Sequence, residues 1–262
     1  MTSAFGKGRA IVVAAIIALF AVPVGVAGPA AAAPPPPVAK YVALGDSYAA
    51  GQGAGAYVDA CLQSPLGYPG LLDAQPRVNL LRNASCTGAD FDDVDGQLAQ
   101  INRGTTLVTV TVGANGLDLP GLLAACAANP AAPACVAAQI AANTYLTTEL
   151  GPELAETLAA ISSRSPNARI VVTGYPLPLA PNVADGVNIL AAIMNQTLSG
   201  TVTAAALQGA NVVFADVTGA FLGHGAFSAD PWLGQNPADP ETFLHPNAEG
   251  YQAYATVIEA VR

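Results

Sequence analysis

The chain has 262 residues, of which 52% are hydrophobic and 10% charged, and its formal net charge is −9. That length suits one sizeable core rather than several domains. So acidic a chain repels phosphate backbones and anionic headgroups, which excludes nucleic acid as a partner and argues against membrane adhesion.

Residues 1–32 read as an export signal. Lys7 and Arg9 form a basic start, Ala10 to Val22 is an apolar run, and Ala30 to Ala33 offers small residues, with the cut expected after Ala32. The run is shorter than the ~20 residues a spanning helix needs, and Pro23 ends it. The expected product is therefore secreted and extracellular, without a stable membrane anchor; attachment to the cell wall stays open. Losing the signal removes Lys7 and Arg9 but no acid, so the net charge moves from −9 to −11. Residues 33–39 form a spacer, stiffened by Pro34 to Pro37. Residues 40–262 read as one domain, with no linker and no internal repeat.

Within it, short apolar strands alternate with helices. Residues 41–44 predict the first strand, 68–73 a short helix and 78–81 a second strand. Residues 92–101 predict a helix with acids in its first turn, as the macrodipole favours. Residues 105–112 form a strongly β-branched strand. Helices follow at 119–127 and 134–162, the latter long or broken. A fourth strand is expected at 170–173, a helix at 187–208 and a fifth strand at 212–215. Residues 219–243 are a long Gly/Pro-rich loop of the kind that carries function. Residues 247–260 close the chain as a helix. Such alternation argues a parallel sheet with helices on both faces.

All four cysteines, Cys61, Cys86, Cys126 and Cys135, lie in the exported part. An even count in an exported chain favours disulfides. Of three possible pairings, Cys61–Cys86 with Cys126–Cys135 is the simplest, because each closes a local loop. No C-x-x-C or zinc spacing is present.

The chemistry-bearing residues stand at the ends of these elements. The first strand stops in Gly45-Asp46-Ser47-Tyr48, a tight turn that presents a hydroxyl. The chain has only two histidines, His224 and His245. His245, in His245-Pro246-Asn247 before the last helix, is the candidate base for a Ser47 nucleophile. Gly88 follows the second strand and Asn115 the third. A glycine lets a backbone N–H approach a substrate, and an asparagine amide donates a strong uncharged hydrogen bond. Each residue also has a plain structural reading: Ser47 as a helix cap, Gly88 as a turn glycine, Asn115 as a left-handed turn residue, and His245 as the start of a helix.

These four blocks, in this order, resemble the SGNH/GDSL hydrolase family, most of all its exported actinobacterial esterases and lipases with local disulfides. The likeness covers essentially the whole mature chain. It implies a three-layer α/β/α sandwich with a five-stranded parallel, flavodoxin-like sheet. It also implies Ser47 as nucleophile, His245 as base, and an oxyanion hole from Ser47 N–H, Gly88 N–H and the Asn115 side chain. Two positions depart from the family pattern. Thr242 stands three residues before the histidine, where an aspartate is usual, and Gly116 follows Asn115 in place of an aspartate. Some members of the similar esterase group use a Ser–His dyad with a backbone carbonyl on the ring; here that points to the Thr242 carbonyl accepting from Nδ1–H. Asp239 and Glu241 are the rival partners.

Other features read more plainly. His224 is expected to face solvent, while Phe221, Leu222, Phe227 and Trp232 either line an acyl pocket or cover the sheet edge. Tyr48 is expected to pack. Residues 90–96 lack EF-hand spacing and read as a solvated helix start. Residues 51–55 lack dinucleotide-loop spacing and read as a flexible cleft rim. Asn83 and Asn195 sit in glycosylation sequons, a pattern common by chance. The expected activity is hydrolysis of carboxylic acyl esters, lipid or small, by a monomer that needs no metal or organic cofactor. A carbohydrate O-deacetylase of the same fold and a non-catalytic binding protein on a decayed hydrolase fold are the alternatives.

Overall fold

The β-branched and apolar runs form five strands, of which the three at the centre of the sheet are nearly all buried, as strands covered on both faces must be. In this computed structural model, residues 1–2, 37–183 and 185–262 are described; the export segment and the start of the proline spacer lie outside them. Strand β1 is Ala39–Gly45, followed by a single helical turn α1, Ser47–Ala50, and by α2, Tyr68–Asp73. Next come β2, Val78–Asn83, and α3, Phe91–Gln97, then β3, Leu107–Thr111. Helices α4, Leu119–Cys126, α5, Pro133–Thr144, and α6, Leu150–Arg164, lead to β4, Arg169–Thr173. Helix α7, Asp185–Leu207, β5, Val212–Ala215, and α8, Ala248–Val261, complete the order. The turn α1 and a 3₁₀ turn at Asn115–Leu117 are short elements to which the sequence pattern gave no range.

All four strand pairs are parallel, in the order β2-β1-β3-β4-β5. This is a flavodoxin-like sheet. Helices α3, α6 and α7 pack together on one face, and α2 and α8 pack together on the other. The direction of winding reverses between β1 and β3, so the chain leaves these neighbouring strands on opposite sides. A crevice opens there, at the carboxyl edge of the sheet.

Two local features build that edge. Gly45 has φ +128°, and a Cβ there would lie 2.0 Å from the Thr111 carbonyl oxygen, so only glycine lets β1 end against β3. The helical stretch after α5 is broken by a π turn at Tyr145–Glu149. This turn aims Tyr145, whose hydroxyl donates to the Gly113 carbonyl at 3.0 Å and whose ring fills the space beside Gly116. The polar side chains of β3 do not go unpaired. Tyr41 bonds to Thr109, and Tyr68 to Thr111, which in turn bonds to Thr173. Disulfides join Cys61 to Cys86 and Cys126 to Cys135.

Candidate active site

The turn after β1 is set by Asp46. Its Oδ1 accepts from the Tyr48 N–H at 2.9 Å and caps α1, which leaves Ser47 as the first residue of the turn, 7% exposed. Asp46 is fully buried, and its Oδ2 accepts from the Tyr175 hydroxyl at 2.5 Å. Burial pushes its carboxyl up to about 7, against the Tyr175 and Tyr48 hydrogen bonds that favour the anion. The Tyr175 hydroxyl also accepts from the Ala114 N–H at 3.3 Å, which ties the nucleophile turn to the turn that carries Asn115.

His245 arrives from the other end of the chain. Its Nε2 lies 2.9 Å from Ser47 Oγ. Burial pulls the imidazole down from 6.5 to about 4, opposed by a backbone hydrogen bond to Phe243. The Thr242 carbonyl, expected on the ring, instead accepts from the His245 main-chain N–H at 2.9 Å. Phe243 is thus the backbone group that bears on the imidazole. The chain turns there through Leu244 at φ +59°. Of the rival acids, Asp239 accepts from the Thr242 hydroxyl at 2.6 Å, and the Glu241 carbonyl accepts from Gln52 at 3.0 Å. Among the described residues, no hydrogen bond joins a carboxylate to the His245 ring.

Gly88 and Asn115 line the same cavity as Ser47 and His245. Gly88 has φ +76°, and a side chain there would point into open space. The Cys61–Cys86 disulfide holds this turn: Cys86 N–H donates to the Gly45 carbonyl and Thr87 N–H to the Cys61 carbonyl, both at 3.0 Å. The Asn115 amide spends one N–H on the Ala89 carbonyl at 2.8 Å, and its second N–H is the candidate oxyanion donor.

The cavity measures about 720 Å³. Its lining away from Ser47 is mostly apolar, with Leu119 and Leu123 of α4 and Leu190 and Met194 of α7, and with Asp118 as an acid beside α4. The 219–243 loop contributes Pro237, Pro240 and Phe243. Its other aromatic groups turn away from the cleft. Phe221 packs on Tyr254 under the sheet edge, and His224 stacks on Trp232 at 3.6 Å beside Asp230. Leu222 and Phe227 are exposed.

Sequence reasoning missed three residues here. Tyr48 does more than pack, since its hydroxyl donates to the Leu244 carbonyl at 2.5 Å, next to the base. Tyr175 had no motif to mark it. The 51–55 segment is not simply a loose rim, because Gln52 is 4% exposed and its side chain is hydrogen-bonded at both ends. A buried amide in a glycine-rich stretch has no signature in one sequence. Asp90 starts α3 with a capping box, and among the described residues no side-chain group is arranged to hold a metal. Asn195 is buried and bonded to the Tyr175 backbone, so its sequon is not presented for glycosylation.

A flavodoxin-like sheet that presents a serine and a histidine in contact at its carboxyl edge is the fold of the SGNH hydrolases. A model of the GDSL-like lipase/acylhydrolase family matches residues 43–253, and the chain belongs to that family. It is 34% identical to a lipase of Streptomyces rimosus, covering 86% of this chain and 87% of that protein. The solved structure of an extracellular lipase from S. rimosus superimposes with a TM-score of 0.76 at 32% identity, covering 86% of this chain and all of that one. A phospholipase A1 from Streptomyces albidoflavus gives the same TM-score of 0.76 and the same cover of this chain, at 27% identity.

Proposed function

We propose that this protein hydrolyses carboxylic acyl esters through an acyl-enzyme on Ser47, with His245 as the base. The observation that carries the reading is the 2.9 Å contact between Ser47 Oγ and His245 Nε2 at the head of an apolar cavity. In the first step His245 takes the hydroxyl proton as Oγ attacks the ester carbonyl. The imidazolium then gives that proton to the leaving alcohol. Water repeats the sequence in reverse and releases the acid. The Ser47 and Gly88 N–H groups and the free Asn115 N–H face the developing oxyanion. The Phe243 carbonyl holds the Nδ1 proton, which keeps Nε2 free to accept from serine.

The substrate class follows from the walls. Leucine, methionine and proline side chains suit an acyl chain, and among the described residues no lysine or arginine lines the cavity. An uncharged lipid or small ester fits this lining better than an anionic one. The apolar lining also disfavours the deacetylase alternative, because the hydroxyls around a sugar ring need several polar partners. The named relatives are lipases and a phospholipase, which supports an exported, lipid-degrading enzyme; no described helix is long and apolar enough to cross a membrane.

Replacing Ser47 with alanine tests the reading. Hydrolysis of a p-nitrophenyl ester should fall by about 10⁴-fold or more with the melting temperature unchanged. Retained turnover in the folded variant would remove Ser47 from the mechanism.

A further inference from the structure

Gln52 lies beneath the site, and no motif marks it. Its N–H donates to the Ser47 carbonyl at 3.0 Å and its carbonyl accepts from the Tyr251 hydroxyl at 2.8 Å, so its backbone is fixed under the nucleophile turn. The side chain, almost wholly buried, reaches three places at once. Oε1 accepts from the Thr87 hydroxyl at 2.5 Å, in the turn that carries Gly88. Nε2 donates to the carbonyls of Glu241 at 3.0 Å and Pro240 at 3.3 Å, in the loop that ends on His245. The same nitrogen lies 3.4 Å from His245 Nδ1, on the ring edge away from Ser47. Two carbonyls on one side and a hydroxyl on the other leave only one orientation for the amide.

We propose that Gln52 is a positioning residue that couples the base to the oxyanion turn through one planar amide. The proposal rests on the Ser47–His245 reading. With Thr242 in place of an acid, the ring has no carboxylate to hold it, and its loop must be placed by other means. The Gln52 amide does so through two successive carbonyls of that loop, and ties the same group to the residue next to Gly88. Nε2 also shapes the charge of the base. Both Nε2 hydrogens go to those carbonyls, but the positive end of the amide, 3.4 Å from Nδ1, still opposes a positive ring and keeps His245 neutral to lower pH. The other ionisable groups near the ring are Tyr48, with centroids 5.5 Å apart, and Asp46 behind Ser47. Tyr57 joins the segment through Gly53, and Glu241 and Asp239 stand on the base's own loop. None of these is altered by a change at Gln52.

The test uses the full mature chain and a p-nitrophenyl ester, with rates expressed per Ser47 titratable by a fluorophosphonate. Gln52→Met keeps length and apolar bulk and removes both ends of the bridge. The expected result is a fall in kcat of about 10- to 100-fold with KM within about threefold, and an acid limb of kcat/KM displaced to higher pH. Thr87→Val cuts only the Oε1 end; kcat should fall by about three- to tenfold with the acid limb unmoved. A merely structural role would lower the titratable fraction and leave the limb in place. A folded Gln52→Met enzyme with a wild-type acid limb overturns the proposal. So does Thr87→Val with kcat within about twofold of wild type, which decides the matter if Gln52→Met does not fold. Failure of the underlying dyad reads differently: wild-type enzyme would not react with the fluorophosphonate, or His245→Ala would stay active.

Discussion

The two sides of the cleft are built on different principles. On the catalytic side, buried polar groups hold each other in place: Asp46 accepts from Tyr175, Tyr48 donates to Leu244, and Gln52 joins Thr87 to the Glu241 carbonyl. On the far side, α4 and α7 offer apolar side chains with few polar ties, and Leu123 at its rim is partly exposed. The difference follows from what each side does. Proton transfer needs atoms held at hydrogen-bond distance, whereas an acyl chain needs only apolar area of the right shape. Changes on the first side should therefore act steeply on turnover with every substrate, and changes on the second should act weakly and selectively.

Asn115→Ala is the sharpest test of that contrast short of removing the dyad. It deletes the candidate amide donor, and kcat should fall by about 10²–10³-fold for short and long esters alike. A loss confined to long chains would move Asn115 from the catalytic side to the wall.

The pH profile comes next. The base works only when neutral, and burial depresses the His245 ring to about 4. Activity should hold as pH falls through 6.5 and drop only as it approaches about 4. A histidine with the ordinary pKa would already lose about 25-fold between pH 7 and 5. A kcat/KM profile with its acid limb near 6.5, kept in Asp46→Asn, would show that the free enzyme admits enough water to charge the ring.

Tyr175→Phe removes the hydroxyl that links Asp46 to Ala114 and leaves the ring in place. Because it acts through the geometry of two turns, its cost should be smaller, about tenfold in kcat with little change in KM. An unchanged kcat would mean that the turns hold without it. Smallest of all, Leu190→Ala should lower kcat/KM for an octanoyl ester about three- to tenfold more than for an acetyl ester. Equal effects on both would exclude Leu190 from acyl-chain contact.

How legible each side was in the sequence tracks the same division. The strands announced themselves by β-branched runs, and Tyr68–Asp73 and Val212–Ala215 coincide with the residues expected. The serine, glycine, asparagine and histidine blocks stand at strand or helix ends, where the parallel topology gathers them without further information. The supporting shell was not legible. Tyr175, Gln52 and Tyr145 act through hydrogen bonds to residues far away in the chain, and a tyrosine that packs has the same local pattern as one that holds a turn. The ring partner expected at Thr242 is proposed here at Phe243, whose backbone bears on the imidazole, and nothing in Thr242-Phe243-Leu244 forecasts the left-handed turn at Leu244 that precedes the base. The wall was legible only as apolar helices, since which face lines the cleft depends on how α4 and α7 pack.

The central claim is that the hydroxyl after β1 carries the acyl group between the two half-reactions. Rapid acid quench of the enzyme turning over a slowly deacylated p-nitrophenyl ester, followed by peptide mass spectrometry, reads this directly. The account predicts an acyl adduct on the peptide that contains Ser47, formed with a burst of p-nitrophenolate and absent when His245 is replaced by alanine. An adduct on another residue, or steady turnover with no adduct at all, would contradict it.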